Sequence, residues 1–470
     1  MDTAAYDLIV IGSGPAGEKG AMTAAFFGKK VALVEKSELV GGAVANTGTL
    51  PSKTLRETAL ALTGLRAREL HGVDLSLGRE ATVADFMYHA KNVGAAERSR
   101  ILQYLERLGV ELVRGTASFV DPHTVRVAGP EGERTLRAGT ILIATGSSPF
   151  RPPEFVFEDD RICDSDEILQ IARLPRTMVI VGAGVIGSEY ACTFAALGTE
   201  VRLVDGRDRL LPVLDAEVSA ALARAMEGSG IAFHWNERVT TCEASAGGGD
   251  VTLRLTSGAV LRADTVLVAA GRTSNTETLD LAAAGVAPGP RGLIPVDARY
   301  RTNVPHIYAA GDVIGAPALA ATGVEQARVA MTHAFDLGLK SAVAPILPYG
   351  IYTIPEVSMA GETEASLREK GIDYVAGKAL YLDNPRGQII GDRTGFLKLL
   401  FRRSDMKLLG VHVIGEQASE LVHVGLAVLL MDAGWDLLNR TCFNFPTLGV
   451  MYQRAAYDAA ATLRSEPGSG

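Results

Sequence analysis

Two short glycine runs hold the most chemistry in this chain. Gly12-Ser13-Gly14-Pro15-Ala16-Gly17 follows the apolar run Tyr6–Ile11, and Gly182-Ala183-Gly184-Val185-Ile186-Gly187 follows Met178–Val181. Each has the Gly-x-Gly-x-x-Gly spacing that suits a pyrophosphate. The first glycine (Gly12, Gly182) permits a tight turn, and the second (Gly14, Gly184) lets phosphates reach the backbone. The third (Gly17, Gly187) lets a helix pack on a strand. The helix that begins there, near Pro15 in one run and at Val185 and Ile186 in the other, offers N–H donors and a partial positive charge. Glu35 lies 23 positions after Gly12, and Asp205 lies the same 23 positions after Gly182. Both can take hydrogen bonds from ribose hydroxyls. One fingerprint alone is weak, but two with matched strands, helices and carboxylates imply two bound dinucleotides.

The second carboxylate opens Asp205-Gly206-Arg207-Asp208-Arg209. Asp205 favours NAD, since a carboxylate repels a 2′-phosphate. Arg207 and Arg209 could clamp that phosphate by charge-assisted hydrogen bonds, or could be ordinary surface arginines. The expectation is that NAD and NADP both bind.

Three further apolar runs end in small-residue turns: Thr140–Gly146, Thr265–Arg272 and Ile307–Asp312. Together with Gly41-Gly42-Ala43-Val44 and Gly48-Thr49-Leu50-Pro51-Ser52-Lys53, they resemble the pyridine nucleotide-disulfide oxidoreductases over essentially the whole chain. The resemblance implies FAD on the first fingerprint and NAD or NADP on the second. It places Thr145, Gly146, Gly271, Asp312 and Ala320 among the cofactor-binding residues, with the Asp312 carboxylate on the ribityl chain. A plain helix N-cap is the alternative for Asp312. The resemblance also sets Lys53 beside flavin N5, paired with Glu189. That pair would orient the nicotinamide C4 and moderate the charge on reduced flavin.

The other half of the family's machinery is missing. The pattern Gly-Gly-x-Cys, four residues, Cys, apolar-Pro-Ser-Lys has Val44 and Thr49 at its two cysteine positions. In the C-terminal part, Phe445 precedes Pro446 where the family has a histidine, and Val450 stands where it has a glutamate. Val44 and Thr49 cannot form a redox disulfide, and neither Phe445 nor Val450 can move a proton. The flanking stretches resemble the transhydrogenase branch of the family, which usually keeps the first cysteine and the glutamate. The implied activity is hydride transfer between NADPH and NAD through flavin N5, without a disulfide. Two alternatives stay open: a diaphorase that reduces a quinone-like acceptor, and a non-catalytic flavin redox sensor.

The elements that must hold these residues are those of an α/β protein. The resemblance implies two Rossmann-like dinucleotide-binding domains, for FAD and NAD(P), plus a C-terminal α+β dimerisation domain. Residues 1–150 and 275–346 are expected to bind FAD, 151–274 to bind NAD(P), and 347–470 to form the interface of a homodimer. Three prolines in Ser147–Pro153 are expected to stop any regular element at the crossing between domains. The tail Ser465–Gly470 is expected to be disordered.

Composition excludes other classes. The 470 residues are 47% hydrophobic and carry a net charge of −8, which disfavours nucleic acid as a partner. Leu421–Met431, the most apolar later run, is too short to span a bilayer. With no signal peptide in view, the expected location is the cytoplasm. Cys163, Cys192, Cys242 and Cys442 have no paired spacing and are read as buried apolar residues. The scattered histidines, His71 among them, form no metal-ligand pattern, so no metal is expected.

Overall fold

The computed structural model describes residues 4–67, 83–245 and 248–465. His71 and the tail from residue 466 lie outside the described residues. The first sheet forms around Ala4–Ile11, where Leu8, Ile9 and Val10 are fully buried. A strand covered on both faces needs such a continuous apolar run. It pairs in parallel with Val31–Glu35 on one side and Gly132–Ile143 on the other. The 12-residue strand Gly132–Ile143 has two partners on its far side. Its early half runs antiparallel to Thr124–Gly129, and its end runs parallel to Ile307–Ala309, which brings a later segment back into this sheet.

A second sheet has five parallel strands, in the order Ala232–Trp235, Glu200–Asp205, Thr177–Val181, Thr265–Val268 and Ile162–Asp164. The chain enters and leaves this region through one antiparallel ribbon, Ser147–Pro149 against Arg272–Ser274. The prolines were expected to exclude regular structure there, and the ribbon corrects that. Pro149 ends its strand in a two-stranded ribbon, a position where a missing N–H is tolerated.

A third sheet is antiparallel throughout, in the order Tyr349–Ile351, Val357–Gly361, Leu408–Ile414, Phe396–Arg402 and Tyr374–Leu380. Leu397, Leu399, Phe401, Val411 and Val413 pack with the helices Ala418–Leu430 and Val450–Ser465. Side chains alternate along a strand, so the cross-strand neighbours Lys398 and His412 point to the opposite face. There the Lys398 ammonium, only 3% exposed, meets Asp215 at 2.9 Å and Glu364 at 2.5 Å. Asp215 also caps the helix Ala216–Gly228 by accepting from the Glu217 N–H. A buried ion pair thus fastens the second sheet's region to the third. The fold is α/β, with two Rossmann-type units and an α+β C-terminal part.

Cys163, Cys192 and Cys242 are buried as expected. Burial pushes the first two thiols up to about 12 and Cys242 to about 11. Cys442 corrects the expectation, because it is exposed. Leu438 in the preceding helix and Leu448 beyond it turn inward, while Cys442, Asn444 and Phe445 between them face outward. Among the described residues no helix is long and apolar enough to cross a membrane, and no group of three or more His, Cys, Asp or Glu could hold a metal ion.

Burial alone would raise the Asp215 and Glu364 carboxyls, but Lys398 reverses this and leaves both below their ordinary pKa. Replacing Lys398 with Met strands Asp215 without its cation. The variant should lose about 3–5 kcal/mol of stability at neutral pH, read as a lower denaturant midpoint of the holoprotein. Because the folded pKa values are depressed, the wild-type contribution is complete above about pH 5 and is lost as pH falls through those values. The gap between variant and wild type should therefore narrow in acid.

Candidate active site

The two fingerprints fold into the same turn. Gly12 has φ +104° and Gly182 has φ +106°, a region that favours glycine. A Cβ on Gly12 would fall 2.4 Å from the Ala144 carbonyl oxygen, and one on Gly182 would fall 2.4 Å from that of Ala269. Gly17 and Gly187 are closed by the carbonyl oxygens of Gly12 and Gly182, at 1.8 and 1.9 Å from the missing Cβ. The middle glycines behave differently. A Cβ on Gly184 would meet nothing within 4 Å, and one on Gly14 would meet only the Gly42 Cα at 3.9 Å. Packing within the protein demands the outer glycines, and the middle ones leave open space beside the turn.

That space fits phosphates. The helices Pro15–Phe26 and Val185–Ala196 start from Gly14 and Gly184, neither with a side-chain cap. Their first N–H groups therefore keep free donors, as a pyrophosphate requires. Ala320, exposed at the start of Ala320–Phe335, likewise has no side-chain cap before it. A Cβ on Gly323 in this helix would lie 3.2 Å from Gly311 Cα and 3.5 Å from Ala16 Cβ, so the helix start lies beside the first turn.

The acidic residues do more than the sequence suggested. Glu35 Oε2 accepts from the Ser13 N–H at 2.9 Å and the Ser13 hydroxyl at 2.7 Å, and Oε1 accepts from the Ser37 N–H at 2.8 Å. Asp205 Oδ2 accepts from the Ala183 N–H at 2.6 Å. Ser13 and Ala183 are equivalent positions, so each carboxylate braces its own phosphate turn. Arg207 is not left free as a clamp: its Nε and Nη2 donate to Asp205 at 2.8 and 2.6 Å. Burial disfavours the Asp205 carboxylate, but the Arg207 guanidinium and the nearby N–H groups hold its pKa below the ordinary value. Arg209 donates to the Pro212 carbonyl at 3.4 Å.

Around the first unit, the Thr145 hydroxyl is buried with no hydrogen-bond partner, which suits a group that a bound cofactor completes. Gly146 takes φ +69° and Gly271 takes φ +124°. Asp312 follows Gly311 and is not an N-cap. Its Oδ2 accepts from the Ser147 hydroxyl at 2.8 Å, and Arg272 Nε donates to that same hydroxyl at 2.7 Å. A cleft lined by Ser147, Arg272, Arg291, Leu293 and Asp312 opens beside these groups. Ser147 and Arg272 sit on the two strands of the ribbon, and neither spacing nor resemblance assigns them a role. The residues present fit FAD.

Lys53 and Glu189 come together. Lys53, on Thr49–Ala67, donates to Glu189 Oε2, on Val185–Ala196, at 2.5 Å. The other oxygen of Glu189 accepts from the Tyr352 N–H at 2.8 Å. The Tyr352 ring lies 5.0 Å from Lys53 Nζ. No spacing rule in the sequence points to Tyr352 or to this contact. Val44 lies in the short helix Gly42–Asn46, and Thr49 begins the helix that carries Lys53. Phe445 is 67% exposed in the C-terminal part, and Val450 opens the last helix.

Comparison with known proteins supplies the family. Residues 6–334 match the pyridine nucleotide-disulphide oxidoreductase model, and residues 347–456 match that family's dimerisation domain. A soluble pyridine nucleotide transhydrogenase from Mycobacterium bovis is 45% identical over 462 residues, covering 98% of this chain and 98% of the relative. One from Marinobacter nauticus is 40% identical over 454 residues, covering 96% and 97%. Among solved structures, LpdA from Mycobacterium tuberculosis superposes with a TM-score of 0.88 at 26% identity, covering 97% of this chain and 99% of that one. The Cu(II) complex of the HOCl-induced flavoprotein disulfide reductase RclA from Escherichia coli gives a TM-score of 0.87 at 26% identity, covering 97% and 99%. FAD and NAD(P) are the cofactors of this family. The chain belongs to the pyridine nucleotide-disulphide oxidoreductase family and is a flavin-dependent pyridine nucleotide oxidoreductase with a dimerisation domain.

Proposed function

We propose that this protein is a transhydrogenase that moves hydride between NADPH and NAD without using a disulfide. The carrying observation is the Lys53–Glu189 contact at 2.5 Å, in a chain with no cysteine between Gly41 and Lys53. Relatives at 40–45% identity are named soluble pyridine nucleotide transhydrogenases, which supports the same reading. FAD, when bound, supplies a flavin N5 that can take hydride from one nicotinamide and give it to another.

The chain's own residues do the rest. The Gly12–Gly17 turn, Glu35, Thr145, Gly146, Asp312 and Ala320 hold FAD within residues 1–150 and 275–346. The Gly182–Gly187 turn, Asp205 and Gly271 hold the nicotinamide nucleotide, mainly within residues 151–274. Lys53 places a positive charge where negative charge develops, and Glu189 fixes that ammonium and the nicotinamide ring beside it. The two nucleotides use one site in turn, in a ping-pong sequence. No step requires a thiol or an acid/base histidine, which agrees with Val44, Thr49, Phe445 and Val450. The working unit is a homodimer built through residues 347–470.

Asp205, with its charge matched by Arg207, tolerates either nucleotide. Arg207→Ala would leave the carboxylate bare toward a 2′-phosphate. The expected result is a KM for NADPH raised at least about tenfold, with that for NADH changed less than about threefold. A parallel rise for both would contradict the assignment.

The function itself is tested with NADPH and a thionicotinamide analogue of NAD, followed at the absorbance of the reduced analogue. Rapid reduction of the analogue is expected. Turnover with a quinone but not with the analogue would favour a diaphorase, and slow flavin reduction in both assays would favour a sensor.

A further inference from the structure

Arg56 lies three residues after Lys53, so both side chains leave the same face of Thr49–Ala67. Its side chain is only 5% exposed although it always carries charge. Such burial is costly unless the donors are matched. Here Nε and Nη2 donate to the Thr353 carbonyl at 3.1 and 3.0 Å, and Nη2 lies 3.3 Å from Glu356 Oε2. Nη1 donates to Glu57 at 2.8 Å. The guanidinium carbon lies 6.0 Å from the centre of the Tyr352 ring.

Three of these four partners belong to the segment Tyr352–Glu356. The third sheet's region holds the same segment from the other side: Glu356 Oε1 accepts from the Ser419 N–H at 2.5 Å, and the Glu356 carbonyl accepts from the Gly415 N–H at 2.8 Å. Arg56 holds it from the side of the Thr49–Ala67 helix. What the segment presents to the pair is the Tyr352 N–H on Glu189 and the Tyr352 ring beside Lys53. Glu189 thus has one oxygen on Lys53 and the other on Tyr352, so its orientation depends on where the Tyr352 backbone stands.

We propose that Arg56 is a positioning residue for hydride transfer, acting through Tyr352 on the Glu189 carboxylate. This rests on the assignment of Lys53 and Glu189 to the hydride site. Arg56 does not touch Glu189. It sets the backbone that does, by placing two donors on one carbonyl and a third contact on Glu356. A lysine has one compact ammonium and cannot hold that geometry.

The test is a double-mutant cycle on the FAD-loaded enzyme with Arg56→Met, Glu189→Gln and both together. Anaerobic stopped flow with saturating NADPH reads flavin reduction. Arg56→Met should slow it about 10- to 100-fold, with the NADPH dissociation constant changed less than about threefold. The double variant should be no more than about threefold slower than Glu189→Gln alone. A second readout needs no turnover: the shift of the flavin absorption band when NADP+ binds. That shift should be diminished in each single variant and no smaller in the double. Arg56→Lys should not restore the rate.

Effects that multiply in the double variant, or full rescue by Arg56→Lys, would overturn the inference. A Glu189→Gln enzyme as fast as wild type would instead overturn the assignment of the hydride site. If Arg56→Met does not retain FAD, Glu356→Gln loosens the same segment from its far end. It then takes the place of Arg56→Met in the cycle, with the same outcomes.

Discussion

The contact between Lys53 and Glu189 joins helices that are 136 positions apart in sequence and belong to different dinucleotide units. The two side chains are 24% and 11% exposed, so neither is a freely solvated surface group. A pair this far from water gains Coulomb energy but loses hydration, and the two nearly offset. Its value lies in register rather than stability: it holds the first turns of one helix against the first turns of another. The Tyr352 N–H on Glu189 adds the third sheet's region to the same point. Three parts of the fold therefore converge on one carboxylate, and the chemistry proposed above depends on that convergence.

The flanking turns are built by one rule applied twice. In each, the outer glycines are forced by backbone oxygens under 2.5 Å from where a Cβ would be, and the middle glycine faces open space. In each, the carboxylate at the end of the next strand ties back to the residue after the first glycine. The carboxylate so strongly associated with ribose is also part of the turn's scaffold. The units differ in what neutralises that charge. Glu35 is held by neutral donors, whereas Asp205 carries Arg207 in a bidentate pair.

Long apolar runs such as Tyr6–Ile11 and Met178–Val181 were legible as strands because parallel sheets bury both faces. The fingerprints were legible because glycine spacing reflects backbone geometry directly. Lys53 with Glu189 was reachable only through resemblance, since no local spacing links positions 53 and 189. Arg56 and Ser147 were invisible for a related reason: their partners include backbone atoms or side chains more than a hundred positions away. The partner of Arg207 was left open, because a sequence does not say whether an arginine turns toward solvent or folds back two residues onto Asp205. The ribbon at Ser147–Pro149 was missed because proline was weighed without knowing that its strand would have a single partner. Cys442 was misjudged because composition predicts burial only on average.

The altered positions fall on one side of the chemistry. Val44, Thr49, Phe445 and Val450 replace the groups that would carry electrons and protons to a thiol substrate, while Lys53, Glu189 and both phosphate turns persist. On the proposed mechanism the enzyme stores two electrons, on the flavin alone. Anaerobic titration with NADH measures that capacity directly. The account predicts complete flavin reduction with one equivalent of NADH per FAD and no long-wavelength thiolate-to-flavin charge-transfer band. Uptake of two equivalents per FAD, or the appearance of that band, would contradict it.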